Sequence, residues 1–270
     1  MPVLPEYDLT GKTAILATSG GGEAPFWGQA LVEAGATVFA VARTRALLDA
    51  VLASLPSGAG GAVMDASVPG SAEAVMEQFD RSHDKVDILV NDPRSMFAKP
   101  LEEIGADEWD AVQTRNAKAP FLLAQQVLPR MAKEEYGRVV NMISELAERG
   151  MINGSAFSAS QAAVLALTRS LAVEGSRFNI RVNAIGTGLM DTEGQTLEAQ
   201  QEELVVRYTP LRRKGNPGDI GPLLGYLCSE FCDYSTGQVV YVDGGLNAHH
   251  LQHADAMAHM QKVVRIWAWV

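Results

Sequence analysis

Residue types able to do chemistry are sparse in this sequence. Ser144 is followed closely by two carboxylates, Glu145 and Glu148, and a later stretch, GLMDTEG, carries Asp191 and Glu193. A serine alone is a poor proton donor, because a general acid needs both reach and a pKa near the working pH. The carboxyls are therefore the groups through which this region could move a proton, although loop carboxylates are mostly solvated. Cys228 and Cys232 stand four residues apart. Two thiols are too few for a disulfide framework or a zinc site, so they read as small buried hydrophobes. His249, His250, His253 and His259 crowd the end of the chain, which closes on RIWAWV. His249 and His253 have helical metal-ligand spacing, but no carboxylate-rich motif accompanies them, and no metal site is expected. Trp267 and Trp269 would be costly left in water, so the tail is expected to dock on a neighbouring subunit or to rim a pocket.

The elements that must position these groups follow from periodicity. Short, nearly continuous apolar runs at 13–17, 37–42, 62–65, 87–91, 138–143, 181–185 and 239–243 read as strands buried on both faces, as in a parallel sheet. Helix-length segments separate them; in 26–34, Phe26, Ala30, Leu31 and Ala34 share one face. This alternation predicts an α/β fold: a Rossmann-like, doubly wound, seven-stranded parallel sheet with helices on both faces. Segments 117–134 and 157–175 are apolar around most of their circumference, so one side is expected to cover the sheet and the other to meet a partner subunit.

Composition bounds the function. The 270 residues are 47% hydrophobic and 20% charged, with a net charge of -10. That charge, with no basic stripe, argues against a nucleic-acid partner. The N-terminus shows no leader pattern and no window reads as a membrane span, so a cytoplasmic chain without membrane partners is expected.

Residues 9–245 resemble the short-chain dehydrogenase/reductase family. The resemblance rests on LTGKTAILAT, DILVN, GRVVNMIS, SRFNIRVNAIGTG and CDYSTGQVVYVDGG, in that order. It divides the chain into a Rossmann domain, 1–245, and a C-terminal extension, 246–270. It implies NADP(H) as cofactor, held through Thr18, Gly22, Arg43, Asp65, Asn91 and Thr192. Arg43 follows the second strand, where members preferring NADP place a cation, and Asp65 matches the acid beside the adenine.

The departures from the family pattern are as informative. The glycine motif that lets the backbone approach a pyrophosphate keeps only Gly22, because Ala17, Thr18 and Ala24 replace its other positions. Glu23 places a carboxylate where the pyrophosphate would sit, while Gly20 and Gly21 favour a turn. The segment after the fourth strand ends in Arg94 instead of glycine. Its guanidinium could bind an anionic substrate group, fill the nicotinamide pocket, or fold out to solvent. Thr187 stands where a proline is usual. Of the family's catalytic quartet, Asn116 and Ser144 remain, but Phe157 and Gln161 occupy the positions of the Tyr and Lys. Phenylalanine has no titratable proton and glutamine no charge with which to shift a neighbour's pKa. Cofactor binding is therefore expected to be weakened, or lost.

Three functions fit. The chain could be a non-catalytic subunit paired with a homologous subunit in a homo- or hetero-tetramer. It could be a repurposed lyase or dehydratase using Ser144, Arg94 or a loop carboxylate. Or it could be an NADP(H)-dependent oxidoreductase with an unusual proton donor.

Overall fold

The computed structural model describes residues 7–20, 22–191 and 209–248. Apolar runs become strands β1 (Thr13–Gly20), β2 (Thr37–Ala42), β3 (Gly61–Val63), β4 (Ile88–Pro93), β5 (Gly137–Ser144), β6 (Ile180–Thr187) and β7 (Val239–Val242). They form one seven-stranded parallel sheet in the order β3-β2-β1-β4-β5-β6-β7. The Rossmann-like expectation is met.

Helices cover both faces. On one, α1 (Ala24–Glu33), α2 (Arg45–Ala53) and the helix Pro217–Cys228 contribute Trp27, Leu31, Leu48, Val51, Ile220 and Leu224 to a core against the sheet. On the other, α3 (Ser71–Phe79), α5 (Ala119–Lys133) and α6 (Ser155–Gly175) contribute Val75, Phe79, Leu123, Val127 and Leu171. Among the described residues the remaining α-helix, α4 (Ala106–Gln113), runs into α5 through a widened π turn, Thr114–Lys118, and Pro217–Cys228 is α7. Strand order reverses between β1 and β4, and such a reversal opens a crevice at the carboxyl ends of the strands.

Three sequence expectations shift. On α1 the buried stripe is Ala24, Trp27, Gly28 and Leu31, with Phe26 and Ala30 only partly covered. Leu31 and Ala34 are buried as expected, and the Trp27 indole is drawn inward by donating to buried Asp92 at 3.2 Å. The first and fourth strands run past their expected ends. In place of a flexible turn, β1 continues through Gly20, and Gly20 pairs with Pro93 at the tip of β4 after a register shift at Thr18. Finally, 155–178 is long and apolar enough by length and hydropathy to cross a membrane, contrary to the sequence reading, although half of it is buried in the protein.

Helix α6 packs Phe157, Gln161, Val164, Leu165 and Leu171 inward and leaves Ala162, Ala163, Ala166 and Val173 exposed. Cys228 and Cys232 are buried free thiols, as expected of small hydrophobes. Thr192, Glu193, and the histidines and tryptophans from 249 onward lie outside the described residues.

Candidate functional site

The site is assembled where β1, β4, β5 and β6 end together. Because β4 continues to Pro93, the next residue, Arg94, projects from its tip into the crevice. Its guanidinium is not solvated: Arg94 is 7% exposed. Its Nε donates to Asp92 Oδ1 at 2.6 Å, Nη1 to Thr187 Oγ1 at 2.5 Å, and Nη2 to Glu23 Oε2 at 3.2 Å. Of the three fates open to Arg94, the outward one is excluded. The departures at Glu23, Arg94 and Thr187 make one cluster, and a proline in place of Thr187 would lack the accepting hydroxyl.

Electrostatics explain why the cluster holds. Burial alone works against the Arg94 charge, yet Asp92 and Glu23 more than offset it and hold its pKa above the usual arginine value. Burial raises the Glu23 pKa while Arg94 pulls it down. A buried cation with carboxylate partners is strongly destabilised if one partner is lost, because an uncompensated charge remains.

The adjoining positions that the resemblance implies as catalytic are also tied into structure. Gln161, fully buried, donates through Nε2 to the Pro93 carbonyl at 2.9 Å and accepts from Ser144 N–H at 3.0 Å. One side-chain amide thus stitches the ends of β4 and β5. Phe157, one helical turn earlier on α6, is 1% exposed. Asn116 lies in the π turn, a feature often found where a helix must aim side chains in unusual directions. Its Oδ1 accepts from Ser19 Oγ at 3.4 Å and Ser95 N–H at 3.1 Å. Its Nδ2 donates to Ser95 O at 2.9 Å and Ser160 Oγ at 3.1 Å. All four of its hydrogen-bonding positions are used within the protein.

Ser144 Oγ donates to Glu145 Oε2 at 3.0 Å and accepts from Leu146 N–H at 3.2 Å. The expectation of a solvated Glu145 is corrected here, because its carboxyl is buried beneath the short 3-10 turn Glu145–Ala147. Burial is the main influence and raises its pKa, against the lowering effects of its backbone and Ser144 hydrogen bonds. Glu148 and Asp191 remain exposed.

On the β1–β3 side the crevice is open, a cleft with about 420 Å³ of empty space. Thr18, Arg43, Asp65 and Asn91, four of the residues that the resemblance implies for a cofactor, line it, and Arg115 joins them from the π turn. Thr18 Oγ1 is within 3.2 Å of both Gly20 N and O, closing a local turn at the end of β1. Gly22, with φ +84°, adopts the left-handed backbone before α1 that glycine tolerates best. Asp65 accepts from Ser67 N–H and Oγ–H, which holds its carboxyl below the ordinary range. Asn91 Nδ2 donates to Asn141, while Asn91 Oδ1 and Arg115 Nε are buried without a hydrogen-bond partner.

A dinucleotide laid across this crevice meets two opposite environments. The β1–β3 half offers apolar walls, a cation beyond β2 and unsatisfied polar atoms, and fits an adenosine end. The half toward β6 is filled by Arg94 and lined by the Glu23 carboxylate, and it does not fit a nicotinamide and its pyrophosphate.

Fold and site together define a dinucleotide-type α/β oxidoreductase scaffold. The sequence matches the family described as Enoyl-(Acyl carrier protein) reductase across residues 24–247. The chain belongs to the short-chain dehydrogenase/reductase family. It is 29% identical over 242 residues to the 3-oxoacyl-(acyl-carrier-protein) reductase FabG of Thermotoga maritima, covering 88% of this chain and 98% of that relative. It is 33% identical over 202 residues to subunit BbsC of a hydroxy(phenyl)methylsuccinyl-CoA dehydrogenase from Thauera aromatica, covering 73% of this chain and 80% of the relative. Among solved structures it resembles a Pseudomonas aeruginosa RhlG/NADP active-site complex, with a TM-score of 0.82, 28% identity, and coverage of 91% of this chain and all of the other.

Asp92 and Arg115 were not singled out by the sequence. Asp92 was legible only as part of the segment after β4, and Arg115 as an unexplained cation beside Asn116.

Two outcomes follow. Arg94→Gln is expected to lower unfolding stability by about 3–5 kcal/mol. Adding Asp92→Asn should recover part of it, read as a coupling of roughly 1–3 kcal/mol in a urea-denaturation cycle. A cost for Arg94→Gln below about 1 kcal/mol contradicts the cluster. Because the Glu145 pKa is raised, the folded state keeps that proton to higher pH than the unfolded chain. The stability this contributes is complete below the ordinary carboxylate range and is lost as pH climbs through the raised value. Glu145→Gln removes that loss, so its Tm should gain on wild type as pH rises from the ordinary carboxylate range toward neutrality. A difference that stays constant over that interval contradicts the assignment.

Proposed function

We propose that this chain is a non-catalytic subunit of an oligomeric short-chain dehydrogenase of the cytoplasm, partnered by a homologous chain that retains the Tyr and Lys. The observation that carries this reading is the buried Arg94–Asp92–Glu23–Thr187 cluster, at the end of the crevice where the family resemblance implies the nicotinamide side of the cofactor. Phe157 and Gln161 support it: neither can hold or pass a proton, and Gln161 is committed to the β4 and β5 backbone. A relative that is itself named as one subunit of a dehydrogenase lends further support. In this reading residues 1–245 are the oxidoreductase domain, the 246–270 extension packs on the neighbouring subunit, and the assembly is a homo- or hetero-tetramer.

A second reading is favoured by one feature. The Ser144–Glu145 pair offers a buried, proton-retaining carboxyl beside a retained catalytic position. With NADP(H) held at the open end through Thr18, Gly22, Arg43, Asp65 and Asn91, it would make the chain an oxidoreductase with Glu145 as the proton source. RhlG of Pseudomonas aeruginosa, a solved structure similar to this chain, is described as an NADP active-site complex, which supports NADP(H) in this reading.

The isolated chain is expected to show no NADP(H)-dependent turnover with 3-oxoacyl thioesters, ketones or secondary alcohols. Co-expression with a Tyr- and Lys-bearing homologue from the same genome should yield a stoichiometric complex that is active. Turnover by the isolated chain, abolished by Glu145→Gln, overturns the subunit reading in favour of the second.

A further inference from the structure

Away from the crevice, residues 101–110, LEEIGADEWD, hold five carboxylates and no cation. The fold covers this stretch thinly: the 3-10 turn Leu101–Glu103 buries none of its residues, and α4 buries only Val112. Glu102, Glu103, Asp107 and Asp110 are exposed, and among the described residues only the fifth carboxylate, Glu108, is ion-paired, to Lys99 at 2.7 Å. The same stretch leaves two large apolar side chains in water, Leu101 at 71% exposure and Trp109 at 39%. Like charges gathered on one surface repel, and an exposed indole gains from burial, so a cover that is both cationic and apolar stabilises this surface.

A segment of matching chemistry lies outside the described residues. Residues 262–270, KVVRIWAWV, carry Lys262 and Arg265, no acidic side chain, and Trp267 and Trp269. The chain sets out toward it from beside the acidic surface. Arg149 Nη1 donates to the Leu246 carbonyl at 2.5 Å, which ties the turn after β7 to the loop after β5. Four residues along that loop, the Asn153 carbonyl accepts from Lys99 N–H at 2.8 Å, two residues ahead of Leu101. The short loop 149–153 thus reaches from the last described turn to the edge of the acidic surface. Thirteen residues separate Ala248 from Lys262, enough to bridge up to about 45 Å. With the exit and the receiving surface on one side of the subunit, a two-fold pair can exchange these segments reciprocally.

We infer that residues 262–270 of a second copy of this chain dock on the 101–110 surface, with Lys262 and Arg265 against its carboxylates and Trp267 and Trp269 against Leu101 and Trp109. The inference rests on the reading above that the C-terminal extension packs on a neighbouring subunit, and it names the surface that receives it. Opposite charges select the partner and set the register, while the indoles supply the buried area.

The test is a charge exchange, read by sedimentation and by 19F NMR of the full chain labelled with 5-fluorotryptophan. Trp27 in the core and Trp109 on the surface serve as separate reporters. One variant carries Lys262→Glu and Arg265→Glu, and the other Glu102→Lys, Glu103→Lys and Asp107→Lys. Each alone, melting like wild type, should move the Trp109 resonance to where it lies in a chain ending at Gln261, and leave Trp27 in place. Each should also weaken self-association at least about tenfold. Co-expression of the two variants should restore the wild-type Trp109 signal, because the unaltered segment of one meets the unaltered surface of the other. Restoration within one chain is impossible, since each variant's own segment and surface carry like charge. A Trp109 resonance that ignores removal of 262–270 overturns this inference and leaves the extension packing elsewhere on a neighbour. Loss in each variant without restoration on co-expression overturns docking between copies. A wild-type chain that sediments as a monomer overturns the inference and leaves the subunit reading to a heteromeric partner.

Discussion

A guanidinium buried between two carboxylates organises the carboxyl end of this sheet. Arg94 can be buried only because Asp92 and Glu23 accept from it, and neither carboxylate could be buried there without it. The consequences spread outward. Asp92 also accepts from Trp27 and draws its indole into the face that α1 buries. Glu23 comes just before α1, where an anion is favoured by the helix N-terminus and a pyrophosphate would otherwise lie. Thr187 brings the end of β6 into the same network. A position that the family pattern assigns to a cofactor contact is here part of the core.

The adjoining positions that the resemblance implies as catalytic are likewise part of the framework. Gln161 joins the backbone of β4 to that of β5, and Asn116 joins the ends of β1 and α6 through Ser19, Ser95 and Ser160. Asn116 is fully satisfied within the protein and Gln161 commits a donor and an acceptor to the backbone, so both hold the crevice in shape. The open end contrasts with this. There Asn91 Oδ1 and Arg115 Nε remain unpaired, a configuration that costs free energy unless a ligand completes it. The two ends of one crevice thus present opposite environments, one closed by the Arg94 cluster and one open.

Much of the scaffold was legible in the sequence because buried parallel strands leave continuous apolar runs, and all seven were found at nearly their observed positions. That Phe157 and Gln161 share one buried face of α6 was legible because the i, i+4 spacing on a helix is rigid. What could not be read was pairing across distance. Glu23, Asp92, Arg94 and Thr187 come from three separate strand ends, so their departures looked like independent erosions until the sheet brought them together. Glu145 was misjudged for a related reason: its burial is decided by the 3-10 turn that folds over it, not by its neighbours in sequence. Arg115 escaped notice because only the π turn, a local widening with no strong sequence signature, directs it into the cleft.

The central claim is that Arg94 and its partners exclude the nicotinamide end while the adenosine end stays accessible. Saturation-transfer NMR on NADPH with the full chain tests this directly. The adenine and adenosine-ribose protons should receive saturation from the protein and the nicotinamide protons should not. Equal saturation at both ends, or saturation at the nicotinamide alone, would contradict the account.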